Sequence, residues 1–150
     1  MNWRAAEVEF LMRLLESSVE QELPELIDND VRLRVLGDME TLAPGVRRSV
    51  DRAMQATEAN RGLTLLIALN YGGRTEIVDA CRSLAHDVEA GRLTPEQIDE
   101  ETLGSRLGTA GVPDPDLLIR TSGGVRGSNF LLWEVGYSEN WGTPPLWPDL

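Results

Sequence analysis

The run Leu63-Thr64-Leu65-Leu66-Ile67-Ala68-Leu69, closed by Gly62 on one side and by Asn70-Tyr71-Gly72-Gly73 on the other, is the strongest constraint on how this chain folds. It is too short for a typical helix, and its unbroken apolarity is the pattern of a strand covered on both faces, as in a parallel sheet. The reading predicts a central strand with helices on either side of it in the chain.

The flanking segments agree with that. Val8, Leu11, Leu15, Val19 and Leu26 recur at helical spacing from Ala5 to Leu26, and Pro24 is expected to limit or kink the end of that helix. Asp28-Asn29-Asp30 makes a turn, and Val31-Arg32-Leu33-Arg34-Val35-Leu36 alternates with period two, a strand pattern. Pro44 suits a first helical turn, with Val46, Val50, Ala53 and Met54 as its apolar stripe and Asn60-Arg61-Gly62 as its stop. Beyond the glycines, Ile77, Val78, Cys81, Leu84, Ala85 and Val88 predict another helix with Cys81 in the core, closed by Gly91. Thr94-Pro95-Glu96-Gln97 predicts a capped helix running to about Leu107. Leu117 to Arg120 reads as a short strand and Phe130 to Trp133 as a further apolar segment. Strands alternating with helices give an α/β fold with a mainly parallel sheet flanked by helices. At 150 residues without a linker or repeat, the expectation is one domain over residues 1–150.

Charge narrows the partners. Lys and Arg number 14 against 25 Asp and Glu, a net charge of -11, which opposes generic attachment to nucleic acid or to an anionic membrane. An anionic ligand has to be held locally. One cysteine forms no internal disulfide, and no signal peptide or membrane span is visible, so the expected location is the cytoplasm.

Two polar, glycine-bearing segments follow predicted strands: Asn70 to Arg74, and Arg120-Thr121-Ser122-Gly123-Gly124-Val125-Arg126-Gly127-Ser128-Asn129. Ligands of parallel α/β sheets bind at the carboxyl ends of strands, where glycines let main-chain amides approach an anion. The second segment is the stronger candidate, because Arg120 and Arg126 add planar multi-donor cations and Ser122 and Ser128 add hydroxyls, a set matched to a diphosphate. On composition alone, a surface loop whose arginines meet nearby carboxylates is the simpler reading, and neither segment is a P-loop or a G-x-G-x-x-G fingerprint. His86 has no metal-spaced partner and reads as a solvated surface residue. Trp133, Trp141 and Trp147 suit either an apolar tunnel or aromatic packing near a dimer interface.

Four motifs in order, Leu69-Asn70-Tyr71-Gly72-Gly73-Arg74, Asp114 to Gly123, Ser128-Asn129-Phe130-Leu131-Leu132-Trp133 and Leu146-Trp147-Pro148-Asp149, resemble the cis-prenyltransferases, the family typified by undecaprenyl diphosphate synthase. The resemblance starts at Asn2-Trp3 and covers essentially the whole chain, but only the later part of the family's fold. It implies an isoprenyl transferase that condenses isopentenyl diphosphate with an allylic isoprenoid diphosphate, uses Mg2+, and works as a homodimer or in a hetero-complex with a related prenyltransferase. By the same resemblance Arg120, Arg126, Gly127 and Ser128 grip a diphosphate, Trp3 and Arg4 fall at substrate-binding positions, and Glu139 contributes to the metal site.

The chain also departs from the family pattern. No Asp-Gly-Asn segment, the family's source of a metal-binding aspartate, is present, and no tail follows Trp147-Pro148-Asp149-Leu150. The expectation is a fold truncated at both ends, with a catalytic aspartate missing from this chain alone and no residue named in a catalytic role. Gly124 and Gly127 stand where the family usually has an acidic and an aliphatic residue, and Thr143-Pro144-Pro145 is an unusual approach to the last motif. Two rivals therefore stay open: a non-catalytic subunit completing a partner's site, and an unrelated phosphate-binding α/β domain.

Overall fold

The computed structural model describes residues 5–123 and 128–149, in two compact units, one ending at Asn70 and the other beginning at Tyr71. In the first unit α1 (Ala5–Asp28), β1 (Arg32–Leu36), α2 (Pro44–Ala56) and β2 (Thr64–Ala68) follow one another, and β1 and β2 pair in parallel from Arg32 opposite Thr64 to Leu36 opposite Ala68. The parallel pairing of two strands separated by a helix is the crossover that the alternating pattern predicts. Val19, Leu33, Val46, Val50 and Ala53 form the core where α1, α2 and β1 meet, and fully burying a valine such as Val46 or Val50 contributes roughly 1.5–3 kcal/mol. Helix α1 runs through Pro24 to Asp28, beyond the predicted end. Its end is closed by main-chain bonds from Asn29 to Glu25 and from Val31 to Leu26, with Asp30 in the left-handed region at φ 56°.

The strand expected to be central is less covered than its composition suggests. Leu63 is 67% exposed and Leu65 37% exposed, and among the described residues β2 pairs along one edge only, with β1. Apolarity of a run measures what it would gain by burial, while the actual covering depends on the elements that pack on it.

The second unit holds α3 (Gly73–Glu89), α4 (Glu100–Gly104), β3 (Leu117–Arg120) and β4 (Glu139–Gly142). Strands β3 and β4 are parallel, with Leu117 opposite Glu139 and Arg120 opposite Gly142. β4 lies in a polar stretch, Glu139-Asn140-Trp141-Gly142, that carries no alternation to announce a strand. The helix predicted from Thr94 to Leu107 is two pieces, a 3-10 turn over Pro95–Gln97 and then α4. Asp99 starts the second piece, its carboxylate accepting from the Thr102 N–H at 2.8 Å while the Thr102 hydroxyl accepts from the Asp99 N–H at 2.7 Å. The bond from the Thr102 N–H, and then one from the Thr102 hydroxyl to the same carboxylate, hold the Asp99 carboxyl below its usual range.

Cys81 is exposed, contrary to its predicted core position. The buried face of α3 is Gly73, Ala80, Leu84 and Asp87, so the inward stripe lies one residue off the apolar one. A charged residue occupies that face because Arg92 and Arg106 reach the Asp87 carboxylate at 2.7 and 2.6 Å. His86 is on the surface, as expected, 3.6 Å from Glu89. No helix among the described residues is long and apolar enough to cross a membrane.

Candidate functional site

The site is built at the carboxyl end of β3. Arg120 closes the strand, and the chain then turns through Ser122 and Gly123, both left-handed at φ 64° and 63°. The turn is held by backbone: the N–H of Thr143 donates to the Arg120 carbonyl at 2.8 Å, that of Gly123 to the Thr143 carbonyl at 3.0 Å, and that of Ser122 to the Pro145 carbonyl at 2.9 Å. The unusual Thr143-Pro144-Pro145 segment thus supplies the acceptors that shape the entrance of the loop.

Beside this turn lies a cavity of about 260 Å³, lined by Leu118, Ile119, Arg120, Thr121, Ser128, Phe130 and Trp147. It brings together Arg120 and Ser128, two of the residues predicted to hold a diphosphate, and adds Trp147 and Phe130, for which sequence alone offered no assignment at this cavity. Arg120 is half-buried, and among the described residues its guanidinium makes no ion pair or hydrogen bond. A guanidinium keeps its charge and all its donors at neutral pH, so an unpaired one beside a hydroxyl is suited to an oxyanion. Trp3, Arg4, Arg126 and Gly127 lie outside the described residues.

Glu139 does not line that cavity. It begins β4, opposite Leu117, which sets it about 10 Å along the ladder from the Arg120 pair. Its carboxylate is exposed, and among the described residues no group of three or more His, Cys, Asp or Glu side chains could hold a metal ion. One hard oxygen donor fits a Mg2+ that takes its remaining ligands from a diphosphate and water, and does not fit a cage made by protein alone.

The other end of the loop is fastened to the start of α3. The carbonyl of Asn129 accepts the Gly73 N–H at 2.9 Å, and its Oδ1 accepts the Arg74 N–H, also at 2.9 Å. Tyr71 meets Phe130 edge to face with ring centroids 5.9 Å apart, and its hydroxyl donates to Glu76. Burial, followed by that bond to Glu76, pushes the Tyr71 phenol above its usual range. The second Glu76 oxygen accepts the Gly108 N–H at 2.9 Å. Sequence reasoning assigned no role to Asn129. The available signal was an asparagine in a loop, a residue type that commonly hydrogen-bonds main chain.

A second cavity, about 270 Å³, is lined by residues including Trp133, Thr109 and Glu134. Glu134 is 3% exposed, its Oε1 accepts from the Thr109 hydroxyl at 2.6 Å, and its Oε2 has no partner among the described residues. Trp141, on β4, is exposed.

The family model described as "Putative undecaprenyl diphosphate synthase" matches residues 1–150. An isoprenyl transferase of Geobacillus kaustophilus is 49% identical over 150 residues, 99% of this chain and 58% of that protein. Among solved structures, lavandulyl diphosphate synthase from Lavandula x intermedia in complex with dimethylallyl diphosphate superposes with a TM-score of 0.95 at 38% identity, over 99% of this chain and 65% of that one. A probable undecaprenyl diphosphate synthase from Campylobacter jejuni gives 0.85 at 31% identity, over 98% and 66%. The chain therefore spans between 58% and 66% of the length of each of these proteins.

Proposed function

The chain belongs to the undecaprenyl diphosphate synthase family of prenyltransferases, and from that premise we propose that it acts in cis-polyprenyl diphosphate synthesis, as an isoprenyl transferase condensing isopentenyl diphosphate with an allylic isoprenoid diphosphate. The observation that carries the reading is Arg120: a half-buried guanidinium without a partner among the described residues, in a cavity it shares with the Ser128 hydroxyl. Charge-assisted bonds from that guanidinium grip the diphosphate of isopentenyl diphosphate, with Ser128, Arg126 and Gly127 completing the loop. Trp3 and Arg4 belong to the same reading as substrate-binding residues. Fixed positive charge there offsets the repulsion that a protein of net charge -11 exerts on an anion.

Glu139 is the residue that would hold Mg2+, which when bound neutralises charge on a diphosphate. The reading takes residues 1–150 as a single cis-prenyltransferase-like domain, working in the cytoplasm as a homodimer or in a hetero-complex with a related prenyltransferase. Exposed Tyr137, Trp141, Leu146 and Trp147 support an associating surface.

Calorimetric titration with isopentenyl diphosphate tests it. Wild type is expected to bind in the millimolar range, less tightly as salt is raised, and Arg120→Ala to lose the binding. Absence of binding by wild type, or equal binding by Arg120→Ala, overturns the assignment.

A further inference from the structure

We infer that Asn129 is a positioning residue for Ser128, setting that side of the cavity by taking up the first main-chain donors of α3; this rests on the diphosphate reading above. A helix leaves its first N–H groups without partners inside the helix, and α3 has glycine as its N-cap, with no capping side chain of its own. Asn129 supplies the missing acceptors from a distant part of the chain, its carbonyl to Gly73 and its Oδ1 to Arg74, both at 2.9 Å. The fit is close. A Cβ on Gly72 would lie 2.7 Å from Asn129 Nδ2, and one on Gly73 would lie 3.1 Å from the main-chain nitrogen and Cγ of Leu132. A side chain on Gly72 would push the Asn129 amide aside, and one on Gly73 would crowd Leu132.

The consequence follows from chain connectivity. Ser128 is covalently next to Asn129, and on the other side of the loop Arg120 is held through the Thr143 N–H bond to its carbonyl. With both ends tied to main chain, the spacing between the guanidinium and the hydroxyl in the cavity is set before the anion arrives, which removes an ordering cost from binding. Asn129 is not among the residues lining that cavity, so it acts through Ser128 and not by touching the ligand.

The test is a titration of the whole chain with inorganic diphosphate, with the thermal midpoint measured beside it. Asn129→Ala is expected to weaken binding roughly tenfold, because the Arg74 N–H loses its acceptor and the loop end keeps only the carbonyl bond to Gly73. Gly72→Ala leaves Asn129 intact but displaces its amide, and is expected to weaken binding in the same way. The double variant should be no weaker than Asn129→Ala, as for two changes that break one contact. Asn129→Asp, which keeps the Oδ1 acceptor, should recover most of the loss once salt screens its added charge. Should Asn129→Ala fail to fold, Gly72→Ala carries the test. Unchanged affinity in Asn129→Ala, or a loss there with none in Gly72→Ala, overturns the inference while the diphosphate reading stands. If wild type takes up no diphosphate, both fall.

Discussion

The main-chain N–H of Ser122 donates to the carbonyl oxygen of Pro145 at 2.9 Å, so the entrance of the loop after β3 is shaped by a segment more than twenty residues later in the chain. That bond and its neighbour from Gly123 to Thr143 hold two successive residues in the left-handed region, where only glycine is free of steric cost.

Gly123 is accordingly a sharp test of the turn. Nothing lies within 4 Å of where its Cβ would be, so substitution meets strain without a clash. Gly123→Val is expected to lower stability by about 1–2 kcal/mol and to weaken binding of isopentenyl diphosphate. Urea denaturation and calorimetry measure the two effects, and no change in either would mean the turn is not needed.

In the first unit the buried Thr57 hydroxyl accepts the Leu33 N–H at 3.0 Å and donates to the Ala53 carbonyl at 2.8 Å, joining the end of α2 to β1. Thr57→Val matches the shape but strands a buried donor, an expected loss of about 1–3 kcal/mol. The denaturant midpoint should fall with its slope unchanged. A wild-type midpoint would contradict this.

Glu134 poses the opposite case. One carboxylate oxygen is bonded to Thr109 and the other has no partner among the described residues, an arrangement that costs more for a charge than for a neutral amide. Glu134→Gln is expected to hold or raise the thermal midpoint at neutral pH, while Thr109→Val lowers it. A drop of several degrees in Glu134→Gln would show that the charge itself is stabilising.

Acid stability should depend on Asp87. Its bond to Arg92, and then the charges of Arg106 and Arg92, hold the carboxyl below its usual value against the opposing effect of burial. A depressed folded-state pKa contributes stability that is present above the unfolded value of about 3.9 and is lost as pH falls through the folded one. Asp87→Asn should therefore lower the midpoint at pH 7 and flatten the decline below about pH 4. An acid profile identical to wild type would refute the pairing.

Most elements were legible because their periods are local. The alternation in Val31 to Leu36, the stripe through Val46, Val50 and Ala53, and the apolar runs of β2 and β3 each report a face that burial rewards, and each became the expected element. Asp99 was missed as a second cap inside an apparently single helix, and β4 because its polar residues pair through main chain, which carries no side-chain signature.

By itself, the sequence determined the fold class, the order of helices and strands in most of the chain, and the glycine- and arginine-bearing loop after β3, since those follow from spacing and residue type within a few positions. Only the tertiary structure decided that Asp87 and not Cys81 faces inward on α3, since Arg92 and Arg106 neutralise a charge that periodicity would place in water. It alone also brought Trp147 to the cavity of Arg120, and set Asn129 on the start of α3. Those are pairings between residues far apart in the chain, and no local pattern encodes them, because main-chain donors and acceptors are the same at every position and choose partners only when packing brings them within reach.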